Sequence, residues 1–370
     1  MVKHRAFNGD RFLDKFQGHE AILDSYVESW GAGLDIDATD LDVTGFKQFL
    51  LTGTGSLKNE FMEGLYRAYD LATDQGYEDL IAACRDLKFD PDPAGRLPVE
   101  CLSLKVRTEN EAAFNLAYDR CALQKAERFT VFRGQPGRTI EDPAGATERL
   151  QQRLAEMFKD DKNTDRVLVR YYQEGSYTNF VVYHEKRTTA VLVFQARRKV
   201  APTVLCPVQQ DFISYNSQTG QLEIEARFPR EETALRRAFA ECCFGDAEMF
   251  EQSEAWQSIS LSALQEEDFA LVVDEGDGAE VVELQCFLPE GGQTTICLKS
   301  KDFEMALNLH MLRQILHGAE IRRIVIKIWF ADDRRGKRVE LTGTNKISFK
   351  RATHAEHVFR YLRNWRLFRA

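Results

Sequence analysis

The spacing of apolar positions changes once along this chain. In roughly the first 160 residues, apolar side chains recur every three or four positions. Leu57, Phe61, Leu65, Ala68, Tyr69 and Ala72 make one stripe, as on a helix that buries a single face. A break near Gly76 precedes a second helical stretch ending about Leu87. The segment Phe89 to Pro98 contains three prolines, which remove backbone donors and push the residues before them out of helix, so it reads as a loop. Thr108-Glu-Asn-Glu111 has the form of a capping box opening a helix to about Lys125. Turn-forming residues at 134–137 and 142–145 lead into another helix through Phe158.

Beyond the polar link Lys159 to Asp165 the period shortens from about 3.6 to 2. Arg166 to Tyr172, Tyr177 to Glu185 and Thr189 to Ala196 are rich in Val, Tyr, Phe and Thr and read as antiparallel strands. Asp211 to Asn216 and Gln221 to Phe228 read as a hairpin. In its second strand Leu222, Ile224 and Ala226 alternate with Glu223, Glu225 and Arg227, which predicts one buried face and one wet face. A helix from Arg230 to about Phe244 follows. Phe269 to Val273, Val281 to Leu288 and Thr294 to Lys299 read as further strands, then a helix from Phe303 to Leu316. A hairpin of Ile321 to Phe330 with Val339 to Phe349 and a last helix from Ala355 to Leu367 complete the pattern. The expected class is α+β: an N-terminal helical domain (1–160) followed by two mixed units built on antiparallel sheets with packed helices (161–265 and 266–370).

Composition fits this picture without changing it. With 370 residues, 44% of them hydrophobic and 29% charged, each unit can bury a core without staples. No run approaches the roughly 18 apolar residues of a membrane span, so no membrane partner is expected. Eight cysteines lie scattered in apolar segments, which suggests reduced core thiols and a cytoplasmic location.

Charge does change it. Residues 1–165 and 166–319 each carry a net of −9, whereas residues 320–370 hold 14 Lys and Arg against 5 Asp and Glu, a net of +9. Arg334, Arg335, Lys337, Arg338, Lys350 and Arg351, with Arg360, Arg363, Arg366 and Arg369 on the last helix, are the candidate phosphate-contacting set, since each cation that neutralises a phosphate releases counterions. The bland alternative is that this basic module docks on the acidic remainder of its own chain. Lys186-Arg187 and Arg197-Arg198-Lys199 form a second, smaller basic set.

Catalytic patterns are sparse. Thr52-Gly-Thr-Gly-Ser-Leu-Lys58 lacks the spacing that wraps amides around phosphates. Asp274, Glu283 and Lys299, on expected neighbouring strands, are weak candidates for a metal-dependent nuclease centre, in which acids and a lysine converge on a divalent ion. His310 and His317 stand about 10 Å apart along a helix and cannot share a metal, and His354 and His357 lack companion ligands. No metal site and no cofactor are expected. Tyr171, Tyr172, Tyr177, Phe180, Tyr183 and Phe194 could stack single-stranded bases, but strand aromatics more often fill a core. The resulting expectation is a non-catalytic accessory or adaptor protein of a bacterial cytosolic complex that binds a protein partner, with nucleic-acid contact through the basic C-terminal module; the alternative is a metal-dependent nuclease-like enzyme.

Overall fold

The computed structural model describes residues 7–31, 34, 43–52, 57–93, 95–162, 164–186, 188–196, 199–251, 257–266, 269–288, 293–303, 305–306, 316, 318–351 and 354–369. Two compact units emerge, 2–125 and 126–370.

Among its described residues the first unit forms helices and no strand: α1 (Gly9–Leu13), α2 (Glu20–Glu28), α3 (Val43–Thr52), α4 (Lys58–Leu71), α5 (Asp74–Asp86), α6 (Val99–Glu109) and α7 (Glu111–Lys125). Its core is aromatic, with Phe12, Phe16, Tyr26, Phe46, Phe61 and Phe114 fully buried. The expected stripe on α4 is buried from Phe61 onward, while Leu57 precedes the helix and is exposed. Two local readings shift. Gly76 lies inside α5, not at its break, and a Cβ there would stand 1.8 Å from the Leu71 carbonyl oxygen, so only glycine lets the α4–α5 corner close. The cap of α7 is Asn110, whose side-chain oxygen accepts from the Ala113 amide at 3.0 Å; Thr108 instead bonds back to the Leu104 carbonyl within α6.

The described residues of the second unit form twelve strands: β1 (Arg128–Arg133), β2 (Val167–Glu174), β3 (Tyr177–Glu185), β4 (Thr189–Ala196), β5 (Lys199–Leu205), β6 (Val208–Asn216), β7 (Gln221–Glu225), β8 (Gly278–Leu288), β9 (Thr294–Lys299), β10 (Glu320–Phe330), β11 (Asp333–Thr342) and β12 (Lys346–Ser348). Ten of them form one antiparallel sheet in the order β2-β3-β6-β7-β1-β12-β11-β10-β8-β9, and β4 and β5 pair separately. The class is thus α+β, as the periodicities indicate. Segments 161–265 and 266–370, expected as separate units, contribute strands to this same sheet. The joint is β1, which pairs with β7 on one side and β12 on the other. Its alternation, Arg-Phe-Thr-Val-Phe-Arg, is short and sits between two helices, so the longer period of its flanks masks it and the expected helical domain (1–160) extends over it.

Among the described residues three helices cover the sheet. α8 (Pro143–Lys162) and α9 (Pro229–Phe244) pack on one face, where Phe158, Phe180, Ile213, Tyr215, Leu222, Ile224, Leu235 and Phe239 form the core. α10 (Ala355–Asn364) lies on the other face. The parity of β1 fixes this: Phe132 joins the α8–α9 core, while Phe129, on the opposite face, meets the Arg351 guanidinium that also lies on Phe359 of α10.

Three further expectations differ. Residues 269–273 form no strand; Trp365 holds this segment by donating to the Val272 carbonyl at 2.8 Å. Val339 to Phe349 is two strands, because Gly343, at φ 61°, reverses the chain between β11 and β12. The outer face of β7 is dry: Glu223 is 0% exposed and Glu225 is also buried, since β7 is a central strand covered on both sides. The helix expected at 303–316, with His310 and His317, falls largely outside the described residues, as do Arg187, Arg197 and Arg198.

Candidate functional site

Among the described residues the most exposed apolar surface is the β4–β5 ribbon, inserted between β3 and β6. Its register pairs Ala190 with Val204 and Leu192 with Pro202. In an antiparallel pair, directly opposed residues share a face, so Ala190, Leu192, Val200, Pro202 and Val204 lie together. All five are exposed, with Leu192 at 72%, Val204 at 66% and Val200 at 50%. Val208, where β6 begins, continues the apolar exposure to the ribbon's root. An isolated two-stranded ribbon is marginal in water, and this one carries a contiguous apolar face open to solvent. Sequence periodicity identified β4 but neither β5 nor this exposure, because a β-branched run reads alike in a core and on an arm.

The basic C-terminal set is divided between the two sides of the sheet. Arg338 alternates with Val339 on β11 and points away from α10, whereas Arg360, Arg363, Arg366 and Arg369 lie on or just after α10. Several members are bound to acids of their own unit. Arg351 pairs with the buried Glu223. Arg338 reaches Glu283 at 3.0 Å, Arg360 pairs with Asp274, and Arg366 reaches Glu266 at 2.6 Å. Lys337 is half-buried, and burial depresses its pKa. Arg335, Lys350, Arg363 and Arg369 are exposed; the Arg334 side chain lies outside the described residues. Arg335, Lys337, Arg338 and Lys350 meet Arg128 around a depression of about 600 Å³ that also holds Glu127, Asp333 and Glu340.

The weak catalytic trio is split. Glu283 and Lys299 are register partners on β8 and β9, with Nζ and Oε2 3.3 Å apart. Asp274 sits in irregular chain; besides the Arg360 pair, its backbone amide is 3.3 Å from the Tyr361 hydroxyl oxygen. Glu283 is nearly sealed from water. Burial disfavours its ionisation, but hydrogen bonds from Arg323, Lys299 and Arg338 outweigh that and hold its pKa at about 2. Such a carboxylate is a poor proton acceptor at neutral pH and a good structural anion. His354 is occupied by Asp332 at 2.9 Å and stacks on Phe330. Among the aromatics weighed for base stacking, Phe180 and Tyr172 are buried and Tyr171 is exposed.

The thiols divide similarly. Cys84, Cys101, Cys121 and Cys286 are buried, and burial pushes Cys101 up to about 12; Cys206 and Cys297 are exposed. Among the described residues no helix is long and apolar enough to cross a membrane. No family model matches the chain, and no curated protein matches it in sequence.

Proposed function

We propose that this protein is a non-catalytic accessory or adaptor protein that acts by docking a protein partner, with the β4–β5 ribbon as the docking element. The observation that carries the reading is the uniformly apolar, exposed face of Ala190, Leu192, Val200, Pro202 and Val204. A ribbon of this kind offers alternate side chains to a partner's pocket or pairs its edge with a partner strand. The consumption of Arg338, Arg351, Arg360 and Arg366 by internal acids favours a protein partner over a polyanion as the principal ligand.

The test is cross-linked capture from the cells of origin with the wild type, the Leu192→Asp/Val204→Asp variant and an Arg335→Ala/Lys350→Ala variant. Loss of the same proteins from the ribbon variant alone supports the reading, and equal capture by all three chains overturns it. Sedimentation of the purified chains shows whether the partner is a second copy.

A second reading, nucleic-acid contact, rests on the depression ringed by Arg128, Arg335, Lys337, Arg338 and Lys350. Here Arg335→Ala/Lys350→Ala lowers affinity for short duplexes and flattens its salt dependence, by about 0.9 in slope for each phosphate that is no longer neutralised. Binding that ignores both salt and this variant removes the reading.

A further inference from the structure

A buried polar cluster lies at the root of the ribbon, among β3, β6 and α9. β3 ends in His184-Glu185 and β6 opens with Val208-Gln209, so the ribbon leaves and re-enters the sheet here; His184 and Gln209 are register partners. Nε2 of His184 is 2.8 Å from Oδ2 of Asp211. The Gln209 amide nitrogen donates to Oδ1 of Asp211 and to Oε2 of Glu231, each at 2.7 Å. Glu231 comes from the first turn of α9. All four residues are at least nine-tenths buried, and the imidazole packs on Phe158 at 4.6 Å.

Two features of the cluster point to a cation. Nδ1 of His184 lies 3.3 Å from the Glu185 carbonyl oxygen, which only accepts, so that nitrogen carries a proton. Nε2 then faces the Asp211 carboxylate, the side on which a metal ion would sit, and a backbone carbonyl on the other ring nitrogen is the usual support for a metal-bound histidine. Independently, Oε1 of Gln209 is buried with no hydrogen-bond partner among the described residues, although its amide lies between the two acids. Rotating that amide brings an oxygen donor to the point where the nitrogen now bridges Asp211 and Glu231.

One donor atom each from His184, Asp211 and Glu231 lies within 4.8 Å of the others. Bonds of about 2.0–2.2 Å to nitrogen and oxygen ligands span separations up to about 4.4 Å, so side-chain shifts of roughly 0.4 Å close the shell. We propose that His184, Asp211 and Glu231, with Gln209 as a fourth ligand, bind a divalent first-row transition ion at the root of the ribbon. One imidazole among oxygen donors, in an irregular protein-set geometry, suits zinc best. The ion ties β3, β6 and the start of α9 together and so anchors the ribbon; the inference stands whether or not the ribbon docks a protein.

The test uses full-length protein stripped with a chelator and titrated calorimetrically with Zn²⁺, with thermal unfolding followed in parallel. One equivalent binds and raises the melting temperature, and the chelator reverses the shift. Glu231→Gln, checked for folding by circular dichroism, binds at least about 10-fold more weakly. X-ray absorption at the zinc edge of the wild type finds one imidazole among oxygen ligands, a readout that stands even if the variant misfolds. No stoichiometric uptake, undiminished binding by folded Glu231→Gln, or a sulfur shell at the zinc overturns the proposal; the first result leaves a plain imidazolium–carboxylate pair.

Discussion

Two glutamates mark the two halves of the ten-stranded sheet. Glu223 sits on β7, where α8 and α9 cover one face and the α10 region closes the other; Glu283 sits on β8, buried beneath the side chains of Arg323, Arg338 and Lys299. Each meets arginine from the basic C-terminal stretch, Arg351 in one case and Arg323 and Arg338 in the other. The settings differ in water. Arg351 is itself largely sealed, lying 3.5 Å over the Phe129 ring, whereas Arg338 and Lys299 approach Glu283 from solvent with more than half of each side chain exposed. Desolvation decides what each pair is worth: a sealed pair is costly to break, because the abandoned charge has no water, while an open network relaxes.

The largest effect therefore belongs to Arg351→Met. It leaves Glu223 buried with Gln221 as its remaining described hydrogen-bond donor, and destabilises the second unit by about 3–5 kcal/mol in urea unfolding. Adding Glu223→Met to that variant recovers most of the loss, since both charges are then gone. A double variant as unstable as the single one breaks the comparison, because it would place the cost in Arg351's packing on Phe129 and Phe359 and not in the stranded carboxylate.

Glu283→Gln is the intermediate case. Arg323 keeps its two bonds to Glu340, at 2.7 and 2.9 Å, and the exposed cations rehydrate, so the loss is about 1.5–3 kcal/mol at neutral pH. The pH dependence sharpens this. The folded carboxyl titrates at about 2 against 4.5 when unperturbed, so its contribution is fully present above about pH 4.5 and fades as pH falls toward 2. Integrated, that shift is worth at most about 3 kcal/mol. Wild-type stability should fall across this window by more than that of Glu283→Gln, and parallel curves for the two proteins would remove Glu283 as the origin.

These two sites also show where the sequence was legible. Strand and helix periodicity carried the α+β class and most element positions, because Leu222 and Ile224, or Val358 and Leu362, repeat at spacings that only one secondary structure can bury. Alternation could not say whether the polar parity of β7 was wet, since that depends on Arg351 arriving from 128 residues downstream of Glu223. The same non-locality hid the His184, Asp211 and Glu231 cluster, whose members are 27 and 20 residues apart and match no ligand spacing. It also hid the exposure of Leu192 and Val204. The basic tail was plain in the sequence, but its division between the two sides of the sheet follows from β11 and α10 lying against opposite parities.

The smallest effect closes the series. Arg360 pairs with Asp274 on the outer side of α10, and both side chains are about half exposed. Water solvates either group once the other is removed, and ordering two long side chains offsets much of the attraction. Arg360→Ala accordingly changes stability by no more than about 0.5 kcal/mol, and 0.5 M salt shrinks even that. The contact has one route to a larger value: the amide of Asp274 and the carboxylate of Asp277 both meet the buried Tyr361 hydroxyl, at 3.3 and 2.5 Å. Loss of well over 1 kcal/mol in Arg360→Ala would mean that Arg360 holds the 274–277 segment over Tyr361, and that an exposed pair acts here as part of a buried network.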